Sequence, residues 1–523
     1  MTKQTFLKGA LILIIAGLIT RLLGFVNKIV VARIMGAEGV GLYQMAVPTL
    51  LLVITLTQLG LPVAISKLVA EAEAQQDRKR IKKILVVSLT ITSILSVIFT
   101  IAMIAFAPFV ANTLLTDSRA LYPLIAIAPI VPIVALSSIM RGYFQGRQNM
   151  KPTAYSQVIE QVVRITLVAV MTSAFLPMGV EYAAAGAMAS VVIGELASLV
   201  YMIFMFKRNK RFRVRRDFFS YAKEGKQTLK DIMAISLPAT GSRLIGSISL
   251  FFEPIIVAQS LALAGVATVM ATRQYGELAG FVIPVLLLPT FITYSLSVSL
   301  VPAISEALAR NHYKTIHHRL NQALRLALLS GGISAVVLYV FAEPIMDLMY
   351  GAPTVATYLT LMAPFSIFLY FQGPLQAALQ ALDLAKAAMM NSLFGAVVKM
   401  AAIFVLASRP ELGIMGAALA VVIGFVLVTL LHFASIAKTI SFTIDTKMVV
   451  KSVVLIVGST AVGFLCANYA FTTLPKLWHT LLAISMTGLF YCVLMFLLGL
   501  VKQEEAIRIP FIGKWLSSLL PRT

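Results

Sequence analysis

The chain is poor in the residues that build disulfide frameworks, metal centres and catalytic sites. It has 2 cysteines, 5 histidines and 2 tryptophans among 523 residues, and 12% of its residues are charged. Both cysteines lie in apolar runs, and the histidines show no metal-ligand spacing. The sequence has no phosphate-binding loop, GxSxG, HExxH or CxxC motif. We therefore expect no ATP hydrolysis, no hydrolase chemistry and no bound metal or other cofactor, and a protein that is not an enzyme.

Long apolar runs dominate what is present. Hydrophobic residues make up 59% of the chain, and runs of about 20 residues recur that are long enough to cross the bilayer core. Backbone polar groups in lipid must be satisfied internally, so these runs predict an all-α integral membrane protein. The fourteen predicted transmembrane helices are 9–32, 43–66, 84–110, 121–141, 155–177, 183–206, 232–259, 276–301, 320–342, 356–380, 387–408, 412–437, 449–470 and 477–500.

Positive charge is also in excess, with 43 Lys and Arg against 21 Asp and Glu and a net charge of +22. Most basic residues fall in the loops on one side of the predicted helices, which places those loops and both termini in the cytoplasm. The charge therefore reflects topology, and no nucleic-acid partner is expected. The N-terminal apolar run lacks a cleavage site and continues through Arg21, so it predicts a span rather than a signal peptide. We expect a multi-pass protein of the cell membrane.

Two nearly identical segments indicate an internal duplication. Gly186–Gly194 reads GAMASVVIG and Gly416–Gly424 reads GAALAVVIG, and RLLG at Arg21–Gly24 returns as RLIG at Arg243–Gly246. The period is six helices, and an even period gives both copies the same orientation, as in parallel-repeat transporters. The predicted domains are an N-lobe at 1–206, a basic cytoplasmic linker at 207–230, a C-lobe at 231–440, and helices 13 and 14 with a cytoplasmic tail at 441–523.

Charged residues inside predicted helices are functional candidates because their burial in lipid is costly. Arg21 and Arg243 are repeat mates on the first helix of each half, where two guanidinium groups would suit a pyrophosphate. Arginines that reach from a helix end to lipid headgroups are the alternative. Lys28, Arg164 and Lys399 complete the basic candidates for substrate binding.

Three acidic residues are candidates for coupling transport to Na⁺ or H⁺. Glu160 and Arg164 stand four residues apart, so they can form an ion pair on one helix. Such a pair is either structural or opens when cargo arrives. Glu195 is a second candidate and an alternative partner for Arg164. Glu253 directly precedes Pro254, which removes a backbone donor in mid-helix and suggests an ion site.

A polar stripe is predicted on helix 10. Gln372 and Gln376 lie one turn apart, with Gln380 one turn further. Such a stripe either forms hydrogen bonds with a neighbouring helix or lines a cavity. We retain the first two as candidate substrate-binding residues.

Specific motifs resemble the polysaccharide-transport and lipid II flippase branch of the multidrug/oligosaccharidyl-lipid/polysaccharide (MOP) exporter superfamily. They are TRLLGFVNKIVVARIMGAEGVGLYQMAVPTLLLV, TQLGLPVAISKLVAEA and RGYFQGRQNMKPTAYSQVIEQVVRI. The resemblance implies two six-helix lobes around a V-shaped cavity, with two further helices shaping a groove for a lipid tail. The implied cargo is an undecaprenyl-pyrophosphate-linked saccharide, lipid II for spore-cortex peptidoglycan, flipped from the inner to the outer leaflet by alternating access. A monomer working beside the cell-wall synthesis machinery is expected.

The resemblance transfers residues unevenly. Arg21–Phe25 and Ala32–Ala37 match the better-studied lipid II flippases. A second arginine of that pattern falls on Asn27, and two further charged groups fall on apolar or glycine positions. Lys28 and Glu38 are candidate substitutes for the arginine and for an acid. The coupling force is left open among Na⁺, H⁺ and the membrane potential.

Three other functions compete with a flippase. A multidrug or cation antiporter of the same fold would need acids and aromatics lining the N-terminal lobe, whose buried charge is mixed to basic. A membrane glycan polymerase would need catalytic residues in long extracytoplasmic loops, which are short here. A non-transporting scaffold remains open on sequence alone.

Overall fold

The computed structural model describes residues 6–209, 225–443, 445–470 and 472–501, and these are helical apart from short connections. The helices are α1 Phe6–Gln58, α2 Leu61–Ala74, α3 Arg78–Phe109, α4 Leu121–Ile127, α5 Ile130–Gly146, α6 Lys151–Phe175, α7 Val180–Asn209, α8 Lys226–Leu263, α9 Thr268–Tyr275, α10 Ile283–Leu287, α11 Thr290–Ala309, α12 Tyr313–Val340, α13 Ala342–Tyr350, α14 Ala356–Met362, α15 Ser366–Ala381, α16 Ala385–Ala407, α17 Ile414–Ile440, α18 Thr446–Tyr469 and α19 Lys476–Leu497. Two π-helical segments, Val110–Leu114 and Gly276–Val282, interrupt this order.

The chain is a multi-pass membrane protein. Thirteen stretches of the described residues are long and apolar enough to span a membrane, which confirms the all-α membrane fold. The first stretch, Ile15–Ala74, has 60 residues, about 90 Å if straight. Its backbone is non-helical at Gly36, with φ 66° and ψ −174°. The loop predicted at 33–42 is therefore reduced to a kink, because glycine tolerates this positive φ. The count of fourteen spans stays a prediction.

The predicted helix 276–301 is the clearest difference in boundaries. The structure divides this region into the π-helical segment Gly276–Val282, α10 and the first part of α11. Pro284 and Pro289 each lack a backbone donor, so the ladder cannot run unbroken through both positions. Apolar composition alone did not reveal these breaks.

The described residues form two compact units. The first holds the chain up to Phe281 together with Ile403–Gly416. Its apolar core joins α2, α3, α5 and α7, with Ile65 and Tyr143 almost fully buried. Within it α1 packs against α6, α8 and α9, and α6 packs along α7.

The second unit holds Val282–Ala402 and the chain from Ala417 onward. Its main core joins α11, α12, α15 and α17, with Ile304 fully buried. The last two helices, α18 and α19, pack against α12, where the Tyr491 hydroxyl donates to the Leu329 carbonyl at 2.8 Å. Cys466 and Cys492 lie in these two helices, as predicted from their apolar surroundings.

The duplicated segments belong to two equivalent helix pairs, α6–α7 and α16–α17. A Cβ built on Gly186 would lie 3.1 Å from the Met171 carbonyl oxygen, and one on Gly416 would lie 2.5 Å from the Leu406 carbonyl oxygen. Met171 and Leu406 are 235 residues apart, the same offset that separates Arg164 and Lys399 on these two helices, α6 and α16. Small residues let helices approach closely in lipid, so the repeat preserves a mode of helix packing.

Several predictions lie partly outside the described residues. The basic linker 207–230 is described only at its two ends, since residues 210–224 are not among the described ones. Residues 1–5 and 502–523, on which the cytoplasmic placement of the termini depends, also lie outside. The division into lobes, linker and tail and the orientation in the membrane stay predictions.

Candidate polar site in the helix bundle

Four charged side chains form a cluster inside the first unit. The Arg164 guanidinium lies 2.6 Å from Glu160, which confirms the predicted ion pair within α6. The Arg141 guanidinium lies 2.6 Å from Glu195 in α7. Glu160 and Glu195 also interact electrostatically with each other. The order across the cluster is therefore Arg164, Glu160, Glu195, Arg141, with the two carboxyl groups at its centre.

A glycine brings the two halves of this cluster together. A Cβ on Gly194 would lie 2.9 Å from the Glu160 carbonyl oxygen and 3.2 Å from the Arg164 Cβ. Helix α7 can approach α6 this closely only because position 194 has no side chain. The neighbouring residue Glu195 is thereby carried to Glu160 and is 4% exposed. The end of the GAMASVVIG segment thus positions one of the predicted coupling acids.

Arg141 is the member that sequence reasoning missed. The sequence predicts Arg141 as the last residue of the helix 121–141 and offers Glu195 only Arg164 as a partner. The structure places Arg141 inside α5 and pairs it with Glu195. The signal that could have found it is charge balance, because a buried acid needs a nearby base and Glu160 already occupies Arg164.

Two buried amide oxygens face the interior near this cluster. Asn27 on α1 is 6% exposed, and neither its Oδ1 nor the Oε1 of Gln161 on α6 has a hydrogen-bond partner among the described residues. Gly24, one turn before Asn27, brings α1 to 3.8 Å from Gln161 Oε1, measured from a built Cβ. Buried polar atoms are seldom left unpaired, so this interior is suited to a polar or hydrated occupant.

The remaining basic candidates of the first unit are exposed. They are Arg21 and Lys28 on α1 and Arg243 on α8. Helices α1 and α8 pack against each other. The structure therefore places the two repeat-mate arginines on adjoining helices of one unit.

Two candidate acids, Glu253 and Glu38, lie outside the cluster and interact with other residues of the first unit. Glu253 interacts electrostatically with the buried Tyr275 of α9, and α8 continues as a helix through Pro254. Glu38, the candidate substitute acid, forms an ion pair with Arg119. No group of three or more His, Cys, Asp or Glu side chains arranged for a metal occurs in the described part of the chain.

The second unit holds the other three candidates. The aliphatic stem of Lys399 packs on Gly424, whose built Cβ would lie 3.2 Å from Lys399 Cδ. The Gln372 amide donates to the Phe425 carbonyl at 3.1 Å. That bond favours the helix-packing interpretation for Gln372, while Gln376 is exposed.

A buried amide and imidazole contact each other in the same unit. Asn391 on α16 lies 3.2 Å from the ring of His432 on α17 and donates to Ser435 at 2.9 Å. His432 is 1% exposed. This contact was not predicted, because a lone histidine in an apolar helix carries no spacing signal.

Many apolar spans, a duplicated helix pair and a buried polar cluster together define a polytopic helical membrane protein. The model of the polysaccharide biosynthesis protein family matches residues 6–308, and the MatE model matches residues 254–405. The chain belongs to the polysaccharide biosynthesis protein family, and the flippases and multidrug transporters among the proteins it resembles are transporters rather than enzymes.

Named relatives agree with this assignment. The chain is 58% identical to Stage V sporulation protein B of Bacillus subtilis (strain 168), over 98% of this chain and 99% of that protein. It is 24% identical to the lipid II flippase MurJ of the same organism, over 88% of this chain and 87% of that protein.

Solved structures share the fold. The lipid II flippase MurJ in its inward closed conformation superposes with a TM-score of 0.68 at 16% identity, covering 92% of this chain and 97% of that one. An inward-facing multidrug resistance MATE family transporter gives 0.66 at 18% identity, covering 81% and 94%.

Proposed function

We propose that the protein is a flippase that moves an undecaprenyl-pyrophosphate-linked saccharide from the inner to the outer leaflet by alternating access. The observation that carries the proposal is the placement of Arg21, Lys28 and Arg243. They are exposed basic side chains on helices α1 and α8, which pack together in a membrane transporter. The flippase named among the relatives supports the same class of cargo.

The chemistry of a pyrophosphate suits these side chains. Arginine binds phosphate oxygens through two parallel N–H donors, and lysine adds a compact positive charge. A charged head group crossing a bilayer needs such compensation, because a charge in hydrocarbon is costly. The proposed cargo is lipid II for spore-cortex peptidoglycan, by analogy with the sporulation protein that is 58% identical. Arg164, Lys399, Gln372 and Gln376 are proposed as secondary contacts of the saccharide.

The proposed membrane arrangement follows from the charge distribution. Both termini and the linker 207–230 lie in the cytoplasm, and the protein acts as a monomer alongside the cell-wall synthesis machinery. The lobes at 1–206 and 231–440 alternate around the cargo, and the helices within 441–523 hold its lipid tail.

Coupling is proposed to use the buried acids of the first unit. Glu160 and Glu195 interact electrostatically, and one proton shared by the pair would remove the mutual repulsion of the two carboxylates. Release of that proton would push the carboxylates apart and loosen α6 from α7. Proton coupling is therefore favoured over Na⁺ at this cluster, with Glu253 as the other candidate ion site. The membrane potential remains the alternative driving force.

A multidrug or cation antiporter is the second candidate. It is favoured by the fold shared with the MATE family transporter and by the buried acids. The exposed basic residues of α1 and α8 argue against it, because they would repel a cationic substrate.

The test is a lipid II accessibility assay in cells that depend on this protein. The double substitution Arg21→Ala/Arg243→Ala should abolish arrival of the precursor in the outer leaflet while membrane expression is retained. The matched control is Arg310→Ala/Arg319→Ala, which removes two arginines at the end of α11 and in α12 and should leave export unchanged. Normal export by the first variant would refute the proposal, and ethidium efflux by the wild type would favour the antiporter.

A further inference from the structure

A buried carboxylate joins the segment after α3 to helix α9. Asp117 is 3% exposed, and its Oδ2 accepts a 2.7 Å hydrogen bond from the Thr272 hydroxyl. Thr272 itself is 1% exposed. The Arg119 guanidinium donates to both Asp117 oxygens, at 3.0 and 2.9 Å, and also pairs with Glu38 on α1. Arg119 thus joins its own segment to α1, and Asp117 joins the same segment to α9.

Two amide side chains reinforce the same junction. Gln259 on α8 donates to the Thr113 and Leu114 carbonyls at 2.8 and 3.1 Å, at the end of the first π-helical segment. Gln44 on α1 donates to the Ala279 carbonyl at 2.8 Å, within the second π-helical segment. π-Helical turns leave backbone carbonyls without their usual partners. Both amides therefore supply hydrogen bonds to backbone carbonyl oxygens in the irregular segments.

The charge of Asp117 depends on these contacts. Burial acts to raise its pKa, but hydrogen bonds from Arg119 and Thr272 outweigh it and leave the pKa below the ordinary value. The carboxylate is therefore ionised at neutral pH. Moving α9 away would expose this charge and remove the hydrogen bond that Thr272 donates to it.

The contacts cross the boundary between the two sequence repeats. Asp117 and Arg119 belong to the first predicted lobe, and Thr272 and Gln259 belong to the second. If the lobes move against each other, these contacts cannot persist in every state. The close packing of α1 on the second π-helical segment adds to the junction, since a Cβ on Gly276 would lie 2.0 Å from the Ala37 carbonyl oxygen.

We propose that Glu38, Asp117, Arg119 and Thr272 form a latch that holds one conformation of the transporter and must open in every cycle. The proposal rests on the alternating-access function above. Asp117 is the centre of the latch, Arg119 holds its charge in place, and Thr272 is the contact that α9 makes or breaks. Gln259 and Gln44 set the backbone on either side, and none of these residues is needed to bind cargo.

A cross-link tests whether the latch opens. In a chain carrying Cys466→Ser and Cys492→Ser, the pair Asp117→Cys/Thr272→Cys is joined by oxidation or a short bis-thiol reagent. Export of lipid II should fall by about tenfold or more and recover with reductant. The matched control is Glu73→Cys/Arg147→Cys, which replaces an ion pair of 3.1 Å between α2 and α5 of the same lobe and should not block export. Undiminished export by the cross-linked latch would overturn the proposal, as would equal inhibition by the control.

A measurement without cargo separates the latch from the flippase proposal. Spin labels at Ser118 and Val269, exposed positions flanking the latch, report the distance across it. In the wild type most molecules should show a short distance between the labels. Thr272→Val or Asp117→Asn should increase the fraction of molecules with a longer distance severalfold. Thr268→Val, in the first turn of α9, is the control and should change nothing. If neither latch substitution shifts the distribution, the latch is refuted; if they shift it in a protein that exports no lipid II, the latch stands and the proposed cargo fails.

Discussion

The helix pairs α6–α7 and α16–α17 share a packing mode but carry different side chains. In both pairs, the last glycine of the repeated segment packs against a basic residue of the partner helix. Gly194 contacts Arg164, and Gly424 contacts Lys399. In the first pair Arg164 belongs to a four-residue charged cluster. In the second, the position of Glu195 holds Phe425 and that of Glu160 holds Gly395, and the contacts use neutral amides instead. Duplication conserved the shape of the pair and left its polar chemistry free to change.

The largest effect should follow from breaking the charged cluster. Arg141→Ala leaves the Glu195 carboxylate buried without its guanidinium, which should lower the free energy of unfolding by about 3–5 kcal/mol. At the offset of 235 residues its mate is Gln376, whose exposed side chain should cost under about 0.5 kcal/mol when changed to alanine. Thermal unfolding of both variants in detergent measures the difference. Equal losses would mean that the two pairs are energetically alike.

The glycines should respond unequally to an added methyl group. Gly194→Ala places a Cβ 2.9 Å from a backbone oxygen, which cannot move aside easily, so about 1–3 kcal/mol should be lost. Gly424→Ala meets the flexible stem of Lys399 at 3.2 Å and should cost less than the first variant. The same unfolding measurement, with Gly488→Ala as a control where nothing lies within 4 Å, ranks them. A reversed order would contradict the backbone argument.

The amide bond of the second unit should contribute modestly. Gln372→Ala removes the donor to the Phe425 carbonyl, a loss of about 1 kcal/mol. Gln380→Ala, at an exposed position two turns further along α15, should leave the free energy of unfolding almost unchanged. A loss as large as that of Arg141→Ala would show that the second pair also depends on its polar side chains.

The smallest effect should be a pH dependence outside the spans. The pKa of Asp117 is lowered in the fold, so its contribution to stability is present above its ordinary range and is lost as the pH falls through the lowered value. Unfolding followed from neutral to acidic pH should show the loss in the wild type and not in Asp117→Asn. An acid response unchanged in Asp117→Asn would contradict the assignment.

The sequence predicted the features that depend on composition and local spacing. Apolar runs located the spans because length and hydropathy suffice in lipid. The Glu160–Arg164 pair followed from a spacing of four residues along one helix. The repeated glycines indicated that one mode of helix packing occurs twice, because a position where two helices are in close contact has no room for a side chain larger than that of glycine.

What remained unpredicted depends on contacts between distant segments. Arg141 meets Glu195 across 54 residues, and Asp117 meets Thr272 across 155. No periodicity encodes such pairs. The π-helical turn Gly276–Val282 was equally hidden, since its apolar composition matches that of a regular span. The predicted substrate and coupling roles remain predictions of function that the transport assays above address.

The attachment of the last two helices has a mechanical consequence. Tyr491 of α19 donates to the Leu329 carbonyl in the middle of α12, and a Cβ on Gly463 of α18 would lie 3.3 Å from Val340 at the C-terminal end of α12. The outer pair is thus attached to α12 at two separate points along the helix. If α12 tilts, α18 and α19 therefore move with it. A molecule bound in a groove along α18 and α19 would be displaced by the same movement.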